Sequence, residues 1–195
     1  EVSIKKRQKY RNLKRARMSE VLIELCAGTD EERWWEDGRL WTRQDILFGE
    51  CGGPIFSGIQ GGDTYWYLKH ISDGFVDGYV MNHALEHFNY VEGEHDGWYT
   101  TVDQILTEIS RSLKLGGTLH IEVPNIIGSA REALAGKITE EQFCEYLYGG
   151  SDYQYNVHYA GFGPESLRRR LKKHGLEGQI NDIGLVLVAD VTRVI

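Results

Sequence analysis

Residues 75–125 leave this chain few ways to fold. Val76, Tyr79, Val80 and Met81 form an apolar run too short for a helix of ordinary length, so they read as a strand. Asn82 and His83 follow where that run stops, at the strand's carboxyl end. From Val102 onward, Val102, Ile105, Leu106, Ile109 and Leu113 recur at helical spacing with polar residues between them. Gly116-Gly117 then stops the helix and turns the chain into a second strand at 118–123. Pro124 ends that strand, because proline has no N–H to give to a ladder. In an open parallel sheet ligands bind at the carboxyl edge, which is where Asn82 and His83 fall.

The flanking chain extends this pattern. Residues 21–25 are an apolar burst of strand length, and Cys26-Ala27-Gly28-Thr29-Asp30 is a small-residue turn into an acid-rich helix start at 29–37. Small residues let a ligand approach the backbone, and the helix behind them offers free N–H groups. Residues 39–46 read as a second strand ending at Asp45, an acid placed either to accept from ribose hydroxyls or to hold a turn. Residues 48–63 are a glycine-rich loop, and 64–68 read as a short third strand. Tyr65 and Lys69 match a Tyr-x-x-x-Lys pattern, but they precede the fourth strand and lack the dehydrogenase glycine fingerprint. A polar insert occupies 89–99, and helices are expected at 126–135 and 139–148. Past a tyrosine-rich loop holding His158, Pro164 opens a helix that Gly175 closes. Residues 176–180 and 185–194 read as a closing antiparallel pair, since only a short loop joins them.

Asp77 before Val80, Leu85-Glu86-His87 after it, and Leu113-Lys114-Leu115-Gly116-Gly117 before the next strand together resemble the class I S-adenosylmethionine-dependent methyltransferases. The broad type-11 group is the most similar, and the likeness runs from Val21 to about Leu176. The resemblance implies an α/β fold: a Rossmann-like, doubly wound, seven-stranded sheet in the order 3-2-1-4-5-7-6, its last strand antiparallel. It also implies one methyltransferase-like domain over 18–195, preceded by a basic segment at 1–17. It implies S-adenosylmethionine as cofactor, held by Glu24, Cys26, Gly28, Asp45 and Asn82. The family's turn reads acidic-x-Gly-x-Gly. Here it reads Glu24-Leu25-Cys26-Ala27-Gly28, and the Cys26 side chain narrows the space for the donor's methionine part.

Methyl transfer from a sulfonium asks little of a protein beyond alignment, because the donor arrives activated. A general base is needed only for a poor nucleophile such as a hydroxyl. His83 and His158 are the expected catalytic residues, and His87 is expected to pin the loop behind the strand. His83-x-x-Glu86-His87 with a distant His158 is similar to the Glu-x-x-Glu-His set that holds a divalent metal in small-RNA 2′-O-methyltransferases. His83 stands where that set has its first Glu, and no metal is expected.

Charge narrows the partners. Lys and Arg number 22 against 29 Asp and Glu, a net charge of -7, which argues against a wholly basic, nucleic-acid-coating protein. The basic residues nevertheless crowd residues 1–17, which read as a solvated tail or surface helix, or as a nucleic-acid or acidic-lipid contact. No apolar run approaches the roughly 20 residues that span a bilayer. Three widely spaced cysteines fit reduced thiols and a cytoplasmic setting. The expected function is methyl transfer to a small-molecule or saccharide acceptor. A catalytically inactive methyltransferase-like binding protein, motivated by Cys26, and an RNA-associated methyltransferase using residues 1–17 are the alternatives.

Overall fold

A computed structural model of the chain describes residues 20–26, 42–44, 64–90, 100–150 and 156–195. The basic segment 1–17, Gly28, Asp45, the helix expected at 29–37 and the glycine-rich loop lie outside the described residues. The strands are β1 (Leu22–Leu25), β2 (Thr42–Gln44), β3 (Val76–Asn82), β4 (Leu113–Pro124), β5 (Leu176–Asp182) and β6 (Val186–Arg193). The helices are α1 (Thr64–Lys69), α2 (Val102–Ser112), α3 (Ile126–Leu134), α4 (Glu140–Tyr148) and α5 (Pro164–Lys173), with a 3₁₀ turn at Leu85–His87.

Among the described residues the strands form one six-stranded sheet in the order β2-β1-β3-β4-β6-β5. β2, β1, β3 and β4 pair in parallel, while β6 runs antiparallel to both of its neighbours. The short link between β5 and β6 permits only an antiparallel pair, which leaves β5 on the outer edge. Leu119, Ile121 and Val123 of β4 and Leu187, Ala189 and Val191 of β6 alternate inward. They join Ile105, Leu106 and Ile109 of α2 and Leu167 and Leu171 of α5 in one buried cluster. A capping box starts α2: Gln104 N–H donates to Thr101 Oγ1 at 3.2 Å, and Thr101 N–H donates to Gln104 Oε1 at 2.8 Å. Among the described residues no helix is long and apolar enough to cross a membrane.

One expected strand is corrected. Residues 64–68 fold as helix α1, not as a third strand. Thr64, Tyr67 and Leu68 are its buried residues, at the i, i+3, i+4 spacing of a helix face, while Trp66 points out. The Tyr-x-x-x-Lys pattern is one turn of this helix, with Lys69 Nζ over the Tyr65 and Trp66 rings at 5.2 and 5.3 Å.

The glycine pair acts within β4 rather than ahead of it. Val76 pairs with Leu113 and Gly78 with Thr118, so residues 114–117 bulge out of register. Gly116 takes the turn's left-handed φ of 77°. A Cβ at Gly117 would meet the Lys114 carbonyl oxygen at 2.9 Å. Asp77 holds this corner: its Oδ2 accepts from Val21 N–H at 2.7 Å and its Oδ1 from Lys114 Nζ at 2.6 Å. Burial works against the ionised carboxyl, but the bonds from Lys114 and the Val21 N–H outweigh it, and its pKa lies below the ordinary value. The acid and lysine of the motif are thus joined as a structural pair.

Candidate active site at the carboxyl edge of the sheet

β1 and β3 lie side by side, with Glu24 paired to Val80. Continued by two residues, that register sets Cys26 opposite Asn82. Cys26 (φ 54°) and His83 (φ 48°) both take left-handed backbone as their strands end. Side chains seldom accept that conformation, which costs on the order of 1–2 kcal/mol. Cys26 Sγ lies 3.3 Å from Thr64 Oγ1 at the start of α1. Glu24 is buried behind this turn. Asn82 Oδ1 is buried and has no hydrogen-bond partner among the described residues. Of the expected donor contacts, Glu24, Cys26 and Asn82 therefore gather at one edge, while Gly28 and Asp45 lie outside the described residues.

His83 is half exposed between two carboxylates. Its Nδ1 lies 3.7 Å from Glu86 Oε1 and its Nε2 lies 3.8 Å from Glu122 Oε2. Its backbone N–H donates to the Glu122 carbonyl at 2.8 Å, which fixes the turn against β4. Glu122 continues the row: its Oε1 is 3.5 Å from His120 Nε2, and His120 Nδ1 is 2.7 Å from Asp190 Oδ1. Imidazoles and carboxylates thus alternate from Asp190 through His120, Glu122 and His83 to Glu86. Sequence reasoning missed His120, Glu122 and Asp190. The His120-x-Glu122 alternation on β4 was the available signal, since i and i+2 share a sheet face.

Glu86 is buried at 1% exposure, and its backbone carbonyl accepts the N–H groups of Tyr159 and Ala160 at 2.9 and 3.0 Å. That clasp brings the segment ahead of α5 onto the 3₁₀ turn. His87 Nδ1 donates to the Val157 carbonyl at 3.0 Å, the pinning role expected of it. His158 Nδ1 donates to the Tyr146 carbonyl at 3.1 Å. Burial pushes the His158 imidazole below its ordinary pKa, against the nearby Glu86 charge and the Tyr146 bond, which favour the cation. His83 and His158 accordingly both lie beside Glu86. Tyr159 stands nearby, half exposed; Tyr153 and Tyr155 lie outside the described residues. Glu86, His87 and His158 are the described residues whose ligand atoms could meet on a metal ion.

No protein-family model and no curated protein matches this sequence. Solved structures do. A SAM-dependent methyltransferase from Archaeoglobus fulgidus superposes with a TM-score of 0.51 at 17% identity, over 92% of this chain and 71% of that one. A methyltransferase from Haloferax volcanii, solved in complex with the Trm112 methyltransferase activator, gives 0.52 at 13% identity, over 89% and 82%. The mitomycin 7-O-methyltransferase gives 0.51 at 17% identity, over 91% of this chain and 50% of that one. Likeness at such identities concerns the backbone, and with the parallel strands and the antiparallel β6 it establishes that this chain has the class I S-adenosylmethionine-dependent methyltransferase fold.

Proposed function

We propose that the chain is an S-adenosylmethionine-dependent methyltransferase whose acceptor is a small molecule or a saccharide. The observation that carries this is the meeting of Glu24, Cys26 and Asn82 with His83 at the carboxyl edge of β1 and β3, in a methyltransferase fold. Glu24, Cys26, Gly28, Asp45 and Asn82 hold the donor. The seven-stranded order 3-2-1-4-5-7-6 belongs to the same reading. His83, flanked by Glu86 and Glu122, takes the acceptor's proton, His158 is the second catalytic residue, and Tyr159 walls the acceptor. The acidic balance of the chain, -7 overall, disfavours a phosphate-rich acceptor. S-adenosylhomocysteine titrated into the full chain by calorimetry tests the donor site; saturable one-to-one binding is expected, and its absence would overturn the reading.

A second reading rests on Cys26. Its side chain occupies the turn in a left-handed backbone and contacts Thr64, which supports a fold that has lost the donor and serves in binding alone. Donor binding by the wild-type chain removes this alternative. Binding that appears only on Cys26→Gly establishes it.

A further inference from the structure

We infer, resting on the methyl-transfer reading of this edge, that Glu122 binds the acceptor beside His83, and that the pair selects a molecule with hydroxyls on two adjacent carbons, as saccharides have. His83 Nε2 and Glu122 Oε2 lie 3.8 Å apart, with 48% and 35% of their side-chain surface exposed. A single hydroxyl has one hydrogen to give and serves only one of these atoms. Hydroxyls on neighbouring carbons, held gauche, offer two hydrogens at about the spacing of the pair, each within hydrogen-bond reach. Backbone holds the two residues together, since the His83 N–H donates to the Glu122 carbonyl at 2.8 Å. The β3–β4 register sets Glu122 beside Asn82, next to the donor residues.

What Glu122 meets sets it apart from the chain's structural carboxylates. Asp77, Asp103, Glu108, Glu132 and Asp182 each pair with a lysine or an arginine. The ion partners of Glu122 among the described residues are imidazoles, His83 at Oε2 and His120 at Oε1. A carboxylate without a fixed cation keeps acceptor capacity for a ligand. His120 is itself anchored, its Nδ1 donating to Asp190 Oδ1 at 2.7 Å, so β6 steadies Glu122 from behind. On the far side of the His83 ring, Nδ1 lies 3.7 Å from Glu86 Oε1. Glu86 is buried, so its charge is the less screened of the two and favours the proton on Nδ1. Nε2 then keeps its lone pair, on the side of Glu122.

The two hydroxyls have different fates. The first gives its proton to His83 Nε2 as its oxygen takes the methyl group from the donor's sulfonium, leaving a methyl ether, a neutral thioether and an imidazolium. The second keeps its proton, stays bonded to Glu122 and holds the reacting oxygen in line. The Glu122 charge also stabilises the imidazolium as it forms.

The test is equilibrium binding to the full chain, followed by saturation-transfer NMR with S-adenosylhomocysteine present. Two matched pairs of probes are compared: 4-methylcatechol with 4-methylphenol, and cis-1,2-cyclohexanediol with cyclohexanol. Each diol should bind about 10-fold more tightly than its monohydroxy partner, the worth of one hydrogen bond to a charged group. Glu122→Leu should erase that preference and leave the monohydroxy probes unchanged, and Glu122→Gln, which keeps the shape and loses the charge, should reduce it to a few fold. Glu177→Gln, an exposed carboxylate on β5, should bind as wild type does. Equal affinity of diol and monohydroxy probes for the wild-type chain overturns the assignment, as does a preference that survives Glu122→Leu. S-adenosylhomocysteine titrated alone into the same protein reports on the donor site: donor binding without a diol preference sinks Glu122 only, and absence of donor binding sinks the methyltransferase reading.

Discussion

Cys26 and His83 close neighbouring parallel strands with the same left-handed backbone, φ 54° and 48°. Glycine would hold that conformation without cost, and at Cys26 the methyltransferases this turn resembles carry glycine. The chain therefore keeps a glycine's backbone while carrying a side chain. Cys26→Gly should relieve about 1 kcal/mol of backbone cost and forfeit a comparable amount of Sγ packing against Thr64, leaving stability within about 1 kcal/mol of wild type. Donor affinity should rise, since the space beside the backbone opens. Calorimetry with S-adenosylhomocysteine on both proteins checks this; unchanged affinity would move the donor away from the β1 turn.

His83 differs, because its side chain reaches the open edge between Glu86 and Glu122. For a hydroxyl acceptor, His83→Ala should lower kcat on the order of 10²–10⁴-fold with donor affinity little changed. An amine or thiol acceptor would reduce that loss to a few fold. Rate and S-adenosylhomocysteine affinity measured on one preparation separate proton transfer from a folding defect. A fall in both together would count against the base role.

Asp103 sets an acid limit on the fold. Its carboxylate, in the first turn of α2, meets Arg170 at 2.8 Å, Lys173 at 2.6 Å and His174 at 3.1 Å, tying α2 to the end of α5. Burial alone would raise its pKa, but the bonds from Lys173 and His174 and the charges of Arg170 and Lys173 prevail and hold it at about 2, against an ordinary 3.8. As pH falls, the unfolded chain takes up this proton before the folded one does. The stabilisation is thus complete above about pH 4 and is lost between there and pH 2, on the order of 2 kcal/mol at most. Urea melts from pH 5 to pH 2 should show a shallower decline for Asp103→Asn than for wild type. Parallel declines would mean that the cations contribute nothing net.

How far the sequence could be read depends on the distance between the groups concerned. β3, α2 and β4 were legible because Ile105, Leu106 and Ile109 repeat at helical spacing and Gly116 marks the turn. α1 was not, because Thr64, Tyr65, Trp66 and Tyr67 have strand-like composition, and one helical turn holds too few residues to reveal a period. The placement of His83 followed from where the apolar run stopped. Its carboxylate neighbours did not, since His120 faces Asp190 only through the β4–β6 register. Glu86 was legible as part of a tripeptide, but its clasp on Tyr159 and Ala160 joins backbone groups distant in sequence, and no side-chain pattern encodes it.

Asn125 offers the sharpest test of how the carboxyl edge is held. It is fully buried and every polar atom of its side chain is used: Oδ1 accepts from Gly128 N–H at 3.0 Å, and Nδ2 donates to Asp182 Oδ1 at 3.0 Å and to the Gly184 carbonyl at 2.9 Å. The residue caps α3 and binds it to the β5–β6 link in one step. Asn125→Ala strands those partners and should cost about 2–3 kcal/mol. Asn125→Asp should cost more at neutral pH although it is isosteric. The donor to Asp182 and Gly184 becomes an acceptor, and Asp182 is itself ionised, held below the ordinary carboxylate pKa by the Gly184 N–H and Arg131. Two carboxylates would then face each other across a hydrogen-bond distance. Acidification should narrow the gap between the two variants, because a protonated carboxyl introduced at this position can donate again. Chemical denaturation of both at pH 7 and pH 5 measures it. A gap that stays constant with pH would show that the amide acts as a spacer and that its donated bonds carry no weight.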